Sequence, residues 1–406
     1  MTPDSVSPSA VPPVPGSDAT TVPASAPPAA PPAAPLVAPS AVAVSTGVPA
    51  SPAAPAPAST PTRGPKSGEP PMGGRPGLPR VSLDRLRREI GKVIVGNQEV
   101  VDQVLITLFA GGHALLEGVP GLGKTLLVRT IASVLQQRFR RIQFTPDLMP
   151  ADIIGTKLIR EDEQGRRSFV FEPGPLFANL ILADEINRAT AKTQSALLEA
   201  MAEGTVTSCG ETYALTPPFF VLATQNPIEM EGTYPLPEAQ VDRFMFKILV
   251  ELPSREMLEG ILERTTGNEQ VQLEPVMSGE EIVAVQKLVR DVPIARHLRE
   301  AIASLILATQ PKSANAPPPV KRYVAYGSSP RGLQAVALAA KSLAFLKGQN
   351  HVSFEEIKAV ARPALRHRLI MNFEGEAEGI SSDEIIGKIL AQLETQVSLG
   401  KTATTG

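Results

Sequence analysis

The 406-residue sequence predicts a three-layer α/β domain with a parallel sheet, followed by an all-helical domain and preceded by a disordered Pro/Ala-rich arm. Three observations carry this reading. Composition changes abruptly near Arg80, short apolar runs alternate with helical patterns from Val81 onward, and a glycine-rich turn joins the first apolar run to a helical segment. Alternating strands and helices are the pattern of a sheet covered by helices on its faces.

Residues 1–79 hold 22 of the 41 prolines and no aromatic residue, in stretches such as Pro27-Pro28-Ala29-Ala30-Pro31-Pro32. Such a segment cannot bury enough apolar surface to offset its ordering entropy, and its prolines favour extended, solvated conformations. It reads as a tether or spacer. Met1 to Ala10 carries Asp4 and no Lys or Arg, and prolines interrupt every apolar run, so it does not have the form of a secretory signal.

From residue 80 to 252 the strand candidates are His113 to Glu117, Arg141 to Thr145, Leu180 to Asp184, Phe219 to Thr224 and Phe246 to Glu251. Helical patterns lie between them, including Leu126 to Leu135 and Thr193 to Glu203. Residues 253–397 read as all-helical, with amphipathic segments at Ser278 to Val289, Leu298 to Thr309, Gly332 to Leu346 and Ser353 to Ala361, and 398–406 as a tail. Leu333, Val336, Leu338 and Ala339 read as core. No internal repeat is evident.

Composition narrows the function. No stretch approaches the roughly 20 apolar residues of a membrane span. A single cysteine, Cys209, precludes an intramolecular disulfide and fits a reducing, cytoplasmic setting, and with four histidines a structural zinc site is not expected. The formal net charge of −2 gives no global basic field for nucleic acid. Clusters such as Arg85-Leu86-Arg87-Arg88 and Arg138-Phe139-Arg140-Arg141 read as solvated or interface charges.

The turn Gly118-Val119-Pro120-Gly121-Leu122-Gly123-Lys124-Thr125, followed by Leu126, has the pattern of a phosphate-binding loop between strand and helix. Its glycines let the backbone curl close around phosphates, so that N–H groups and the helix N-terminus point at the anion. Lys124 would reach the β- and γ-phosphates of ATP, and Thr125 would ligate Mg²⁺. About 60 residues on, Leu180 to Asp184 is an apolar run ending in two acids, Asp184 and Glu185, at the strand edge where ligands bind in open α/β sheets. Asp184 would hold the hydrated metal, and Glu185 would polarise the attacking water. Asn226 follows the next strand and would help place that water. Arg243, and Arg331 at the head of a helix that would close over the nucleotide, are candidates to stabilise transition-state charge, a contribution of about 10³–10⁵ in rate.

With those motifs in place, the stretch from about Leu83 onward resembles the MoxR family of AAA+ ATPases, with a P-loop core of 80–252 and a helical lid of 253–397. The resemblance rests also on Val95-Gly96, on Phe144 to Gly155, on Gly174-Pro175-Leu176-Phe177-Ala178-Asn179, on Asp184 to Ala189, on Thr224 to Pro227, on Asp242-Arg243-Phe244 and on Ser329-Pro330-Arg331. It implies that Val95 and Gly96 lie on the adenine side, although Asn97 stands where the family commonly has glutamine. It implies further that Asn226 is sensor 1, that Arg243 is an arginine finger acting on a neighbour's nucleotide, that Arg331 is sensor 2, and that the assembly is a homo-oligomeric ring, usually a hexamer. Arg188 is either a second intersubunit arginine or the partner of a neighbouring acid. Two hairpin insertions are expected, Thr156 to Phe171 and Thr205 to Leu215, which would contact a client. The implied function is a chaperone-like ATPase remodelling a protein client, often one with a von Willebrand factor A domain. Competing readings are a nucleic-acid motor, a nucleotide-gated scaffold and a magnesium-chelatase-like ATPase subunit; the scarcity of aromatics and of a basic stripe disfavours the first, and Gly174 to Phe177 favours MoxR over the last.

Overall fold

The computed structural model describes residues 83–119, 121–161, 163–226, 233–267 and 271–403; the expected N-terminal arm, Pro120 and Pro227 lie outside them. In chain order the core comprises α1 (Leu83–Gly91), α2 (Gln98–Ala110), β1 (Ala114–Glu117), α3 (Lys124–Val134), β2 (Phe139–Gln143), α4 (Pro150–Ile154), β3 (Gly155–Glu161) and β4 (Arg167–Pro173). It continues with β5 (Leu180–Asp184), α5 (Ala191–Glu203), β6 (Thr205–Ser208), β7 (Glu211–Ala214), β8 (Phe220–Gln225), α6 (Glu238–Val241) and β9 (Phe246–Leu249). The sheet has five parallel strands in the order β2-β5-β8-β1-β9.

Both faces of this sheet are covered, and the strands show it residue by residue. Leu180, Leu182, Phe220 and Leu222 pack into one apolar cluster with α2 and α3, whereas Ile181, Ala183, Val221 and Ala223 pack into a second with α4 and α5. All eight are essentially inaccessible to water. Continuous apolar runs are what a strand buried on both faces requires, and each such Leu or Phe contributes about 1.5–3 kcal/mol of burial.

The lid comprises α7 (Arg255–Thr266), α8 (Gly279–Asp291), α9 (Arg296–Ala308), α10 (Pro318–Tyr323), β10 (Val324–Tyr326), α11 (Pro330–Leu346), α12 (Phe354–Leu365), β11 (Ile370–Met371), α13 (Phe373–Ala377) and α14 (Ser382–Ala403). Among the described residues its helices are joined by one short antiparallel pair, β10 with β11, where the sequence predicts helices alone. Two lid helices begin with a full capping box: Ser278 with Glu281 before α8, and Ser353 with Glu356 before α12. The lid shares the apolar cluster of α2. There α11 lies against α2, and the buried Ser342 hydroxyl donates to the Ile106 carbonyl at 2.9 Å. That docking fixes where the head of α11 can be.

Both expected hairpins are present, β3 with β4 and β6 with β7. The second turns at Cys209 and Gly210, both with positive φ, as a two-residue hairpin demands. The hairpins touch each other. Phe171 stacks on Tyr213 with centroids 4.0 Å apart, Lys157 pairs with Glu211 at 2.6 Å, and the Ser208 hydroxyl donates to the Gly155 carbonyl at 3.1 Å.

Candidate nucleotide site

The loop after β1 turns into α3 through Gly121 and Gly123, at φ +86° and +74°, and a Cβ on either would project into open space. Only glycine adopts that backbone readily, and the result is an open cradle at the N-terminus of an eleven-residue helix. Lys124 is the first residue of α3; its Nζ donates to the Gly118 carbonyl at 2.5 Å and so closes the loop on itself. Burial pushes the Lys124 ammonium down from its ordinary value, and Asp184, Glu185 and Glu117 oppose that shift.

A cavity of about 420 Å³ opens over this loop, and it brings together Lys124, Thr125, Asp184, Glu185 and Asn226. Parallel pairing of β5 with β8 sets the acids beside Thr224. The buried Thr224 hydroxyl donates to Asp184 Oδ1 at 2.6 Å and accepts from the Glu185 N–H at 2.8 Å. Glu185 has a left-handed backbone, φ +56°, a conformation a non-glycine residue holds at a cost of about 1–3 kcal/mol unless its surroundings enforce it. Thr224 supplies part of that enforcement.

Two residues of the site escape sequence reasoning. Arg141 donates through Nε and Nη2 to Asp184 Oδ2, at 3.0 and 2.7 Å, and Gln143 donates to Glu185 Oε2 at 2.7 Å. Arg141 is therefore half of an ion pair on the cavity wall, although its side chain remains about half exposed, as its cluster suggests. The reason is the two-residue period of β2, which puts Arg141 and Gln143 on one face next to β5. That period was the available signal. Arg188 also pairs with Glu185, at 2.9 Å.

An apolar cavity of about 510 Å³ adjoins the first, sharing Gly121, Gly123, Lys124 and Leu126. Ile94, Val95, Val119, Leu122, Leu127 and Ile261 are among its lining, as is Asn97. Gly96, at φ +69°, sits against the Met257 side chain. A polar, lysine-bearing cradle continuous with an apolar slot fits a nucleotide, with phosphates in the first and base in the second. Thr125 and Asp184 on one cavity wall are a donor set suited to Mg²⁺, a hard cation that keeps several waters and takes one or two protein oxygens.

Arg243 and Arg331 are not in either cavity. They line a third, of about 330 Å³, together with His113, Asp242 and Arg368. Here His113 and Met245 precede β1 and β9, so this cavity lies at the N-terminal edge of the sheet, whereas the phosphate loop lies at the C-terminal edge. Four residues of β1 at about 3.3 Å each separate the two edges by about 13 Å. Arg331 does stand at the head of a helix, and packing of α11 along α2 carries that N-terminus to the edge of the sheet opposite the loop that bears Lys124. Arg243 donates to the Leu198 carbonyl at 2.8 Å, and Arg331 lies 3.7 Å from Asp242.

Comparison with known proteins agrees with this architecture. Residues 113–246 match the family model described as ATPase family associated with various cellular activities, and residues 320–389 match an AAA lid domain. Chaperone MoxR1 of Mycobacterium tuberculosis is 44% identical over 324 residues, which span 79% of this chain and 85% of that protein. Protein MoxR of Methylorubrum extorquens is 31% identical over 72% of this chain and 88% of its own length. The crystal structure of a candidate ATPase from Cytophaga hutchinsonii, 44% identical, superposes with a TM-score of 0.71 over 76% of this chain and 93% of that one. The chain belongs to the MoxR family of AAA+ ATPases.

Proposed function

We propose that this protein hydrolyses ATP between subunits of a homo-oligomeric ring, hexameric by family resemblance, and uses the cycle to remodel a protein client as a chaperone. One observation carries the reading: Lys124, Thr125, Asp184, Glu185 and Asn226 share one cavity, while the two exposed arginines lie at the other edge of the sheet, about 13 Å away. An arginine so placed serves a phosphate only in an adjacent copy.

In this mechanism the loop N–H groups and Lys124 hold the β- and γ-phosphates, and the apolar slot from Val95 to Leu127 holds the base. Mg²⁺, when bound by Thr125 and Asp184, would neutralise charge on the phosphate oxygens. Glu185 orients and polarises the water with Asn226 beside it, and Arg141, Gln143 and Arg188 hold the two acids until nucleotide engages them. Arg243 and Arg331 of a neighbour stabilise charge on the transferred phosphoryl group. Because both subunits contact the γ-phosphate, hydrolysis changes the interface energy and moves one subunit against the next. The paired hairpins, joined by Phe171 and Tyr213, are the parts we assign to the client, whose class by family resemblance is a von Willebrand factor A-domain protein. The setting is the cytoplasm, where ATP is supplied; no helix among the described residues is long and apolar enough to cross a membrane.

The test is affinity capture with a Glu185→Gln form in ATP and the wild type in ADP, followed by mass spectrometry. Selective retention of a von Willebrand factor A-domain protein in the trapped state supports the chaperone reading and names the client. Retention of nucleic acid or of DNA-processing proteins overturns it in favour of a motor.

A further inference from the structure

Arg368, in the turn after α12, is among the most buried charges of the protein, with a side chain 3% exposed. A guanidinium has five N–H donors, and here five hydrogen bonds leave it. Nε donates to Asp242 Oδ1 at 2.7 Å, Nη2 to the Asp242 and Phe244 carbonyls at 2.8 Å each, and Nη1 to the Met245 carbonyl at 3.1 Å and the Ala364 carbonyl. Four of the five therefore go to residues 242–245, the connection between α6 and β9 that carries Arg243. From the lid, Ser329, the N-cap of α11, donates to both Asp242 oxygens at 3.2 and 3.1 Å and accepts from the Arg331 N–H. Gly332 completes the arrangement: a Cβ there would come within 3.0 Å of Arg368 Cδ, so the first turn of α11 lies directly on the Arg368 stem.

An ordinary buried ion pair would need one or two of these bonds. This one grips the backbone on both sides of Arg243 and, through Asp242, the cap two residues before Arg331. Lysine, with one nitrogen and three donors, cannot span the same acceptors.

We propose that Arg368 is a positioning residue for hydrolysis: it ties the core segment bearing Arg243 to the lid helix bearing Arg331, so that the two exposed guanidinium groups reach a neighbour's phosphates as one unit. The proposal rests on the reading that both arginines act in trans. A displacement of about 1 Å at such a group costs on the order of 100-fold in rate, so Arg368→Lys is expected to lower turnover about 10- to 100-fold. Binding of a fluorescent methylanthraniloyl-ATP should stay within about twofold, since the phosphate loop is at the other edge of the sheet and such binding lacks the transition-state charge the arginines serve.

The deciding experiment mixes subunits. Arg368→Lys protein keeps its own phosphate loop and Glu185, so in rings mixed with Glu185→Gln subunits its nucleotide meets intact arginines, and turnover should recover. Arg243→Ala mixed with Glu185→Gln is the reference. Recovery in both mixtures supports the proposal. Recovery with Arg243→Ala but not with Arg368→Lys, or full turnover by Arg368→Lys alone, overturns it while leaving the trans reading intact. Recovery in neither mixture removes the trans reading and the proposal with it. If Arg368→Lys does not fold, Asp242→Asn, which keeps the shape and the carbonyl acceptor but removes the charge, is judged by the same outcomes.

Discussion

Replacing Thr224 by Val isolates the support beneath the two acids. The substitution keeps volume and branching at a fully buried position but removes the hydroxyl, and with it the bond to Asp184 Oδ1 and the acceptor for the Glu185 N–H. A buried N–H left without a partner costs about 1–3 kcal/mol, and a hydrogen bond to a charged group is worth about 1.5–3 kcal/mol, so folding stability should fall by about 2.5–6 kcal/mol. Part of that loss is relieved if Glu185 leaves its left-handed backbone, and the relief would move the carboxylate from the position in which we propose that it polarises water. Turnover should then drop about 10- to 100-fold, at 1.36 kcal/mol per factor of ten. Urea denaturation and steady-state ATPase assays read the two effects, and Thr224→Ser, which restores the hydroxyl, should recover most of both. If Thr224→Val lies within 0.5 kcal/mol of wild type, roughly the scatter of neutral substitutions, and retains full turnover, the hydroxyl does not hold Glu185 and the reasoning is wrong.

Other predictions follow from the same geometry. Lys124→Ala removes a cation from the phosphate cradle and should weaken methylanthraniloyl-ATP binding about 10- to 100-fold, at 1.4 kcal/mol per tenfold, as read by fluorescence titration; unchanged affinity would move the phosphates elsewhere. His113 is buried, its Nδ1 accepting from the Val221 N–H and its Nε2 donating to the Met201 carbonyl, and burial pushes its pKa down to about 4. The unfolded chain therefore binds a proton that the folded one refuses: its stabilising contribution is whole above about pH 6.5 and declines by about 3 kcal/mol as pH falls to about 4. The half-buried His367, also held below its ordinary value chiefly by desolvation, acts in the same direction. His113→Gln should flatten the stability slope across that window in denaturation curves, and an unaltered slope would contradict the assignment. Leu182→Ala, in the middle strands with no exposure, should cost about 2–5 kcal/mol by the same assay.

The parts of this protein legible in its sequence are those whose chemistry is local. A phosphate loop needs its glycines, lysine and threonine within eight residues, and the two acids sit at the end of their own strand, so the observed β5 has the expected bounds, Leu180–Asp184. Strand β2 is different. Apolar pattern places it at Arg141 to Thr145, but pairing begins at Phe139 opposite Leu180 and runs to Gln143 opposite Asp184, because the neighbouring strand sets the register. That shift hides the roles of Arg141 and Gln143. Helix α11 begins at Pro330, two residues earlier than expected, since Ser329 caps it with proline at the first position. Helix α12 runs through Pro363 to Leu365, beyond the expected end at Ala361; Pro363 forgoes one ladder bond, to the Ala359 carbonyl, and the helix ends two residues later. The position of Arg331 was not legible at all, because it depends on α11 packing against α2, more than 200 residues away in the chain. Arg368 was missed for the same reason.

The central claim is that each nucleotide is hydrolysed with arginine supplied by the next subunit. Its most direct test measures ATPase turnover of Arg243→Ala and Glu185→Gln proteins alone and then mixed at equal concentration under conditions where rings assemble. Each alone should be nearly inactive, one lacking the arginine it lends and the other lacking its own water-activating acid. The mixture should regain a substantial part of wild-type turnover, because some interfaces then combine an intact Glu185 with an intact Arg243. A mixture no more active than its components, with assembly verified, would contradict the account.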